Sequence, residues 1–113
     1  MANSFLTFSA KEVGATSTEI YHNNVSGKET TAIGLNIANV LAVSITVDVE
    51  FYDGSNTDTE RRYIVKDAIV PVGSSLVAIG GDQKIVLTNG DRLKVKASQA
   101  SACDVVLSVL EIT

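Results

Sequence analysis

Tryptophan is absent from this 113-residue chain, and cysteine, proline, histidine and methionine occur once each. A lone cysteine, Cys103, excludes a disulfide within the chain, so packing and strand pairing alone must hold the fold. No CxxC or CxxH spacing surrounds it, and at the head of an apolar segment a buried, inert thiol is the ordinary outcome. With His22 as the single imidazole, any His-based metal site, or any Ser-His or Cys-His pair in one subunit, would depend on a residue set in a cluster of turn formers. Basic residues are scarce too. Nine Lys and Arg face 13 Asp and Glu, a formal charge of -4, which lacks the basic field that displaces counterions from a nucleic acid. No apolar run approaches the roughly 18–20 residues of a membrane span, and the first 14 residues lack the basic start and apolar centre of a secretory signal. The reading is a protein made soluble in a cytoplasm, with neither nucleic acid nor membrane as partner. Asn24-Val25-Ser26 fits the glycosylation pattern but, without that signal, has no access to the machinery.

What the chain does have is aliphatic. Hydrophobic residues make up 45% and aromatic ones only 5%, so the core must be built from Val, Ile, Leu and Ala, a mixture rich in β-branched residues that suits sheets. A chain of this length is one domain, able to bury roughly 65% of the surface its unfolded form exposes.

The strongest local signal is Lys84 to Ala97, KIVLTNGDRLKVKA. Ile85, Leu87, Leu93, Val95 and Ala97 can face one way and Arg92, Lys94 and Lys96 the other, with Asn89-Gly90 between the runs. That pattern predicts a β-hairpin on a type I′ turn. Residues 1–14 read as an arm whose isolated Phe5, Leu6 and Phe8 dock on the domain or on a neighbouring subunit, and residues 15–113 as the domain. Thr16 to Tyr21 predicts a short strand. Glu29 to Val40 predicts another, with Thr31, Ile33, Leu35 and Ile37 on one face. In Ser44 to Tyr52, Ile45, Val47, Val49 and Phe51 should point inward and Thr46, Asp48 and Glu50 outward. The polar stretch Asp53 to Glu60 separates that strand from Arg61 to Lys66 as a hairpin tip, Pro71-Val72-Gly73 is a turn, and Leu76 to Ile79 is a short strand. Cys103 to Ile112, CDVVLSVLEI, is apolar on both faces, as in a strand covered on both sides or buried in an oligomer interface. About eight strands, turns every 8 to 12 residues and no helical period predict an all-β, single-domain antiparallel sandwich, jelly-roll-like in connection.

Candidate sites reduce to surfaces. Gly80-Gly81-Asp82 and Asn89-Gly90-Asp91 do not stand between a strand and a helix as a phosphate loop does, and they read as turns. Asp53, Asp58 and Glu60 are oxygen ligands of the kind calcium uses, but the spacing is not that of a calcium loop, and a solvated tip explains them. No catalytic group, metal site or cofactor is expected. Arg92, Lys94 and Lys96 form a basic stripe that reads either as a solvated face or as a contact for an acidic partner.

Several segments carry a resemblance: Ile33-Gly34-Leu35-Asn36-Ile37-Ala38-Asn39, Val65-Lys66-Asp67-Ala68, Val70-Pro71-Val72-Gly73-Ser74-Ser75-Leu76, Gly80-Gly81-Asp82-Gln83-Lys84 and the ending Val105 to Thr113. In these the chain resembles small virion structural proteins of tailed phages, especially those of cyanobacteria and other aquatic bacteria. The resemblance implies a non-enzymatic homo-oligomer in the virion, assembled in the host cytoplasm, with the major capsid protein or other virion proteins as partners. Within it, a capsid decoration or cement protein comes first and a neck, tail or baseplate adaptor second. A carbohydrate-binding sandwich is the reading from another class, disfavoured by scattered aromatic residues. Partner contact is expected at Phe5, Leu6 and Phe8 and at Arg92, Lys94 and Lys96.

Overall fold

The computed structural model describes residues 3–113. Nine strands run through them: β1 (Asn3–Val13), β2 (Thr18–His22), β3 (Glu29–Asn39), β4 (Ile45–Tyr52), β5 (Arg61–Val70), β6 (Ser75–Ile79), β7 (Ile85–Leu87), β8 (Arg92–Ala97) and β9 (Cys103–Ile112). One sheet has the order β1-β9-β3-β6, with β7 also on β3, and the other β2-β8-β4-β5. The pairings nest: first strand with last, β2 with β8, β3 with β6 and β7, β4 with β5. A long hairpin folded over on itself gives this pattern, and it is the antiparallel jelly-roll sandwich that strand number and turn spacing predict.

The core follows from alternation. Leu35 and Ile37 of β3, Val47 and Val49 of β4, Leu93 and Val95 of β8, and Leu107 of β9 are fully buried between the sheets. Each contributes about 1.5–3 kcal/mol of apolar burial, so aliphatic side chains build this core without tryptophan.

Bulges decide where the period of two changes phase. In β3 the register against β9 shifts between Ala32 and Gly34. Thr30 and Ala32 are therefore buried before the shift and Leu35 and Ile37 after it, while Ile33, expected inside, is only half-buried. A single extra residue turns every later side chain to the other face. In β5 a shift lies opposite Asp48, and Asp67 there takes a positive φ of 53°. In β1 the shift falls between Ala10 and Val13, with Glu12 at φ 55°.

Two expectations about strand pairing are corrected as well. Lys84 to Ala97 is not a hairpin: β7 pairs with β3 in one sheet, and β8 with β2 and β4 in the other. Thr88 to Asp91 is a turn closed by Asp91 N–H to the Thr88 carbonyl at 3.0 Å. Within it Gly90 takes a φ of 99° while Asn89 does not enter the positive range. Type I′ needs both central residues positive, whereas one positive φ at the second fits type II, which does not guide two strands into one ladder. The chain crosses between sheets because neighbours hold this corner. Gly90 N–H donates to the Asn23 carbonyl and Asn23 N–H to that of Asp91.

Secondly, residues 3–13 of the segment read as an arm form an edge strand paired along its length with β9; Met1 and Ala2 lie outside the described residues. Among the described residues the one sequential hairpin is β4–β5. Its tip, Asp53–Glu60, ends in a single 3-10 turn at Asp58–Glu60.

Candidate functional site

Among the described residues there is no cavity, and no cluster of three or more His, Cys, Asp or Glu placed to hold a metal ion. The surfaces that remain to be read are the outer faces of the two sheets, and their chemistry differs.

The outer face of the four-stranded sheet is mostly charged, with Ile69 and Tyr63 as its exposed large apolar residues on the β5 edge. One ladder row crosses it as Glu19, Lys94, Glu50 and Tyr63, and the next as His22, Arg92, Tyr52 and Arg61. Arg92 forms an ion pair with Glu19. Lys94 Nζ sits 4.7 Å from the centre of the Tyr52 ring, and Lys96 stands opposite Asp48. The three residues of the basic stripe are thus each placed beside an acid or ring of their own sheet. Such neighbours cancel much of the field that would draw an acidic partner.

Glu50 and Asp48, expected in solvent, lie beneath this layer. Glu50 is 1% exposed. Its carboxylate accepts from Ser17 Oγ at 2.8 Å and from the Tyr52 hydroxyl at 3.1 Å, with Arg61 at 4.0 Å. Burial, with the negative Glu50 beside it, raises the Tyr52 pKa. Asp48 accepts the Asp67 amide at 2.8 Å and Lys66 at 3.4 Å. Arg61 and Lys66 of β5 thus bring their cationic ends to these two carboxylates.

The outer face of the five-stranded sheet is the opposite. Its ladder positions are Phe5, Thr7 and Ser9 on β1, Val106, Ser108 and Leu110 on β9, Thr31, Gly34 and Asn36 on β3, Val77 on β6 and Val86 on β7. No charge stands among them; Glu29 and Asp104 mark the two ends. Phe5 is 76% exposed, Val77 66%, Val86 56% and Val106 44%. Four large apolar side chains thus stand in water on one sheet face, with no charge at the ladder positions among them.

Of the residues expected to meet a partner, Phe5 belongs to this face. Leu6 and Phe8 point to the inner side of β1, where Phe8 packs edge-on against Tyr21 at 5.0 Å between ring centres. Leu6 stays 40% exposed. Arg92, Lys94 and Lys96 lie on the opposite sheet, so the structure does not unite the two groups. The exposed rings are divided as well, Phe5 on one sheet and Tyr63 on the other, and form no common platform of the kind sugars stack on. Val77 and Val86 escaped the sequence reading because each stands in a short strand whose outer side looks like any other. Val106 and Leu110 were signalled by the doubly apolar pattern of the last strand.

Below this face the sheets are tied by polar bonds. Tyr21 donates to Glu111 Oε2 at 2.6 Å and accepts from the Thr30 hydroxyl at 2.7 Å. Burial pushes its pKa up to about 12, with the bond to Glu111 adding to the rise. Cys103 is buried, its thiol pushed up to about 11 by burial and by Asp104.

No family model and no curated protein sequence matches the chain. Solved structures do. It is similar to a protein of Bacillus endospore appendages, described as a novel family of disulfide-linked pili, with a TM-score of 0.60 and 19% identity over 99% of this chain and 87% of that one. It is also similar to a chain of infectious bursal disease virus, Gx strain, with a TM-score of 0.55 and 9% identity over 96% of this chain and 31% of the viral one. At such identities the likeness is one of fold: the class is the small jelly-roll sandwich.

Proposed function

We propose that the protein is a non-enzymatic structural component of a virion, a decoration protein that lays the outer face of its five-stranded sheet on the capsid shell. The observation that carries this is the face bearing exposed Phe5, Val77, Val86 and Val106 with no charge at the ladder positions among them, set against an opposite face rich in charge. The phage-protein resemblance and fold neighbours from a pilus and a virus support the same reading. Docking would displace water from the exposed valines, each contributing about 1.5–3 kcal/mol on full burial, and repetition over a symmetric shell adds avidity to a modest single contact.

The test uses capsids of the phage that encodes the protein. Labelled full-length protein should decorate shells that lack it. Val77→Lys and Val106→Lys should each weaken binding about tenfold or more, since a lysine must be dehydrated where a valine gained from burial, with melting temperatures unchanged. Purified virions free of the protein would overturn the reading, and label confined to the neck or tail would replace decoration with an adaptor role.

A further inference from the structure

The sandwich has four sheet edges, and they are not alike. The β5 edge carries Arg61, Arg62, Lys66 and Asp67, with a bulge at Asp67. The β2 edge is five residues long, with a register shift and Glu19. The far edge of the five-stranded sheet is broken between β6 and β7 by a loop bearing Asp82 and Lys84. Charges, bulges and short strands are the devices that keep sheet edges from pairing with other chains. Along Asn3–Ala10 of β1 none of them is present: NSFLTFSA has no charge and no proline, and its ladder with β9 is regular. Alternate amides and carbonyls of this stretch point away from β9 into solvent.

Leu6 faces inward yet is 40% exposed, whereas Phe8, two residues on, packs against Tyr21 of the opposite sheet. Phe5 is exposed on the other side. The open edge is apolar on both faces at the same place.

We propose that β1 pairs antiparallel with β1 of a second copy of this chain, about a two-fold axis normal to the sheet near Leu6 and Thr7. The second copy is the occupant because Asn3–Ala10 of β1 is, among the described residues, the one long, uncharged and unbroken edge. Its antiparallel copy meets it with no like charges opposed and brings Leu6 beside its own equivalent region. The product is one continuous layer, β6-β3-β9-β1 joined to the same strands in reverse, with the uncharged outer faces merged into a single surface. The pairing does not rest on the shell-docking reading, and its test involves no particle, so either can fail alone.

Sedimentation of the full chain should give a closed dimer of twice 11.9 kDa. Leu6→Lys combined with Thr7→Lys should weaken dimerisation about tenfold or more, with an unchanged melting temperature at dilutions where the wild type is monomeric. Leu6→Cys, or Thr7→Cys nearer the axis, should form a disulfide-linked dimer and nothing larger, because a residue beside a two-fold meets its own copy; Cys103 is buried and takes no part. A wild-type chain monomeric up to about 1 mM overturns the proposal. So does a dimer indifferent to the two lysines, or a ladder of trimers and higher species, which would mean head-to-tail association.

Discussion

Asp48, Asp91 and Asp104 show how single carboxylates hold irregular backbone in this molecule. Asp67 and Glu12 take left-handed conformations inside strands, a cost of order 1 kcal/mol or more each, and their amides donate to Asp48 Oδ1 and Asp104 Oδ1, both at 2.8 Å. Asp91, 5% exposed, accepts from the Thr88 amide at 2.9 Å, the Thr88 hydroxyl at 3.2 Å and the Gly54 amide at 2.8 Å. Asp91→Ala leaves these donors without their acceptor, and chemical denaturation should show a loss of about 1–3 kcal/mol. Tyr21 makes a prediction about pH. Its folded pKa of about 12 lies above the ordinary 10.0, so its contribution is complete below pH 10 and fades as pH rises from 10 through about 12. Stability of the wild type should therefore fall more steeply over that window than stability of Tyr21→Phe. Equal slopes would show that the hydroxyl is not held as described. Little of this was legible in the sequence, where an aspartate that accepts an amide from another strand looks the same as one in solvent.

At the scale of the element, the strands other than β1 were legible and their partners were not. Alternation in Ser44 to Tyr52 and the apolar run after Cys103 locate β4 and β9 within a residue or two, because a half-buried sheet imposes a period of two wherever it lies. Nothing in that period says which sheet a strand joins. Asn89-Gly90 is a strong hairpin signal, yet Ile85 and Leu87 find their places on β3 and Leu93 and Val95 theirs on β2 and β4, so long-range pairing overrode the local turn. Faces failed for a related reason at Ile33, where a bulge changes the phase. The outer surface of the five-stranded sheet was hidden because its residues come from five separated segments. Gly90 remains indispensable for a different reason than hairpin register. A Cβ there would lie 3.2 Å from Gly54 Cα, on a backbone already at φ 99°. Gly90→Val should lower the melting temperature markedly, and Gly90→Ala less so, both costing more than about 1 kcal/mol; an unchanged melt would contradict the close approach of the two loops.

For the whole molecule, the nested pairing makes the first and last strands neighbours, so the sheet cannot be completed until the full chain is present. Topologies dominated by such distant contacts fold slowly, in milliseconds to seconds. The same neighbourhood has a practical side. Asn3 stands opposite Ile112 across one ladder, roughly 5 Å away. A short peptide joining Asn3 to Ile112, with new ends opened in the Asp53–Glu60 tip, should yield a rearranged gene product with the original architecture. Fluorescent or enzymatic cargo fused through Asn3 or through Ile112 would emerge from one corner, beside Phe5, and would crowd that region alone while leaving the charged sheet clear.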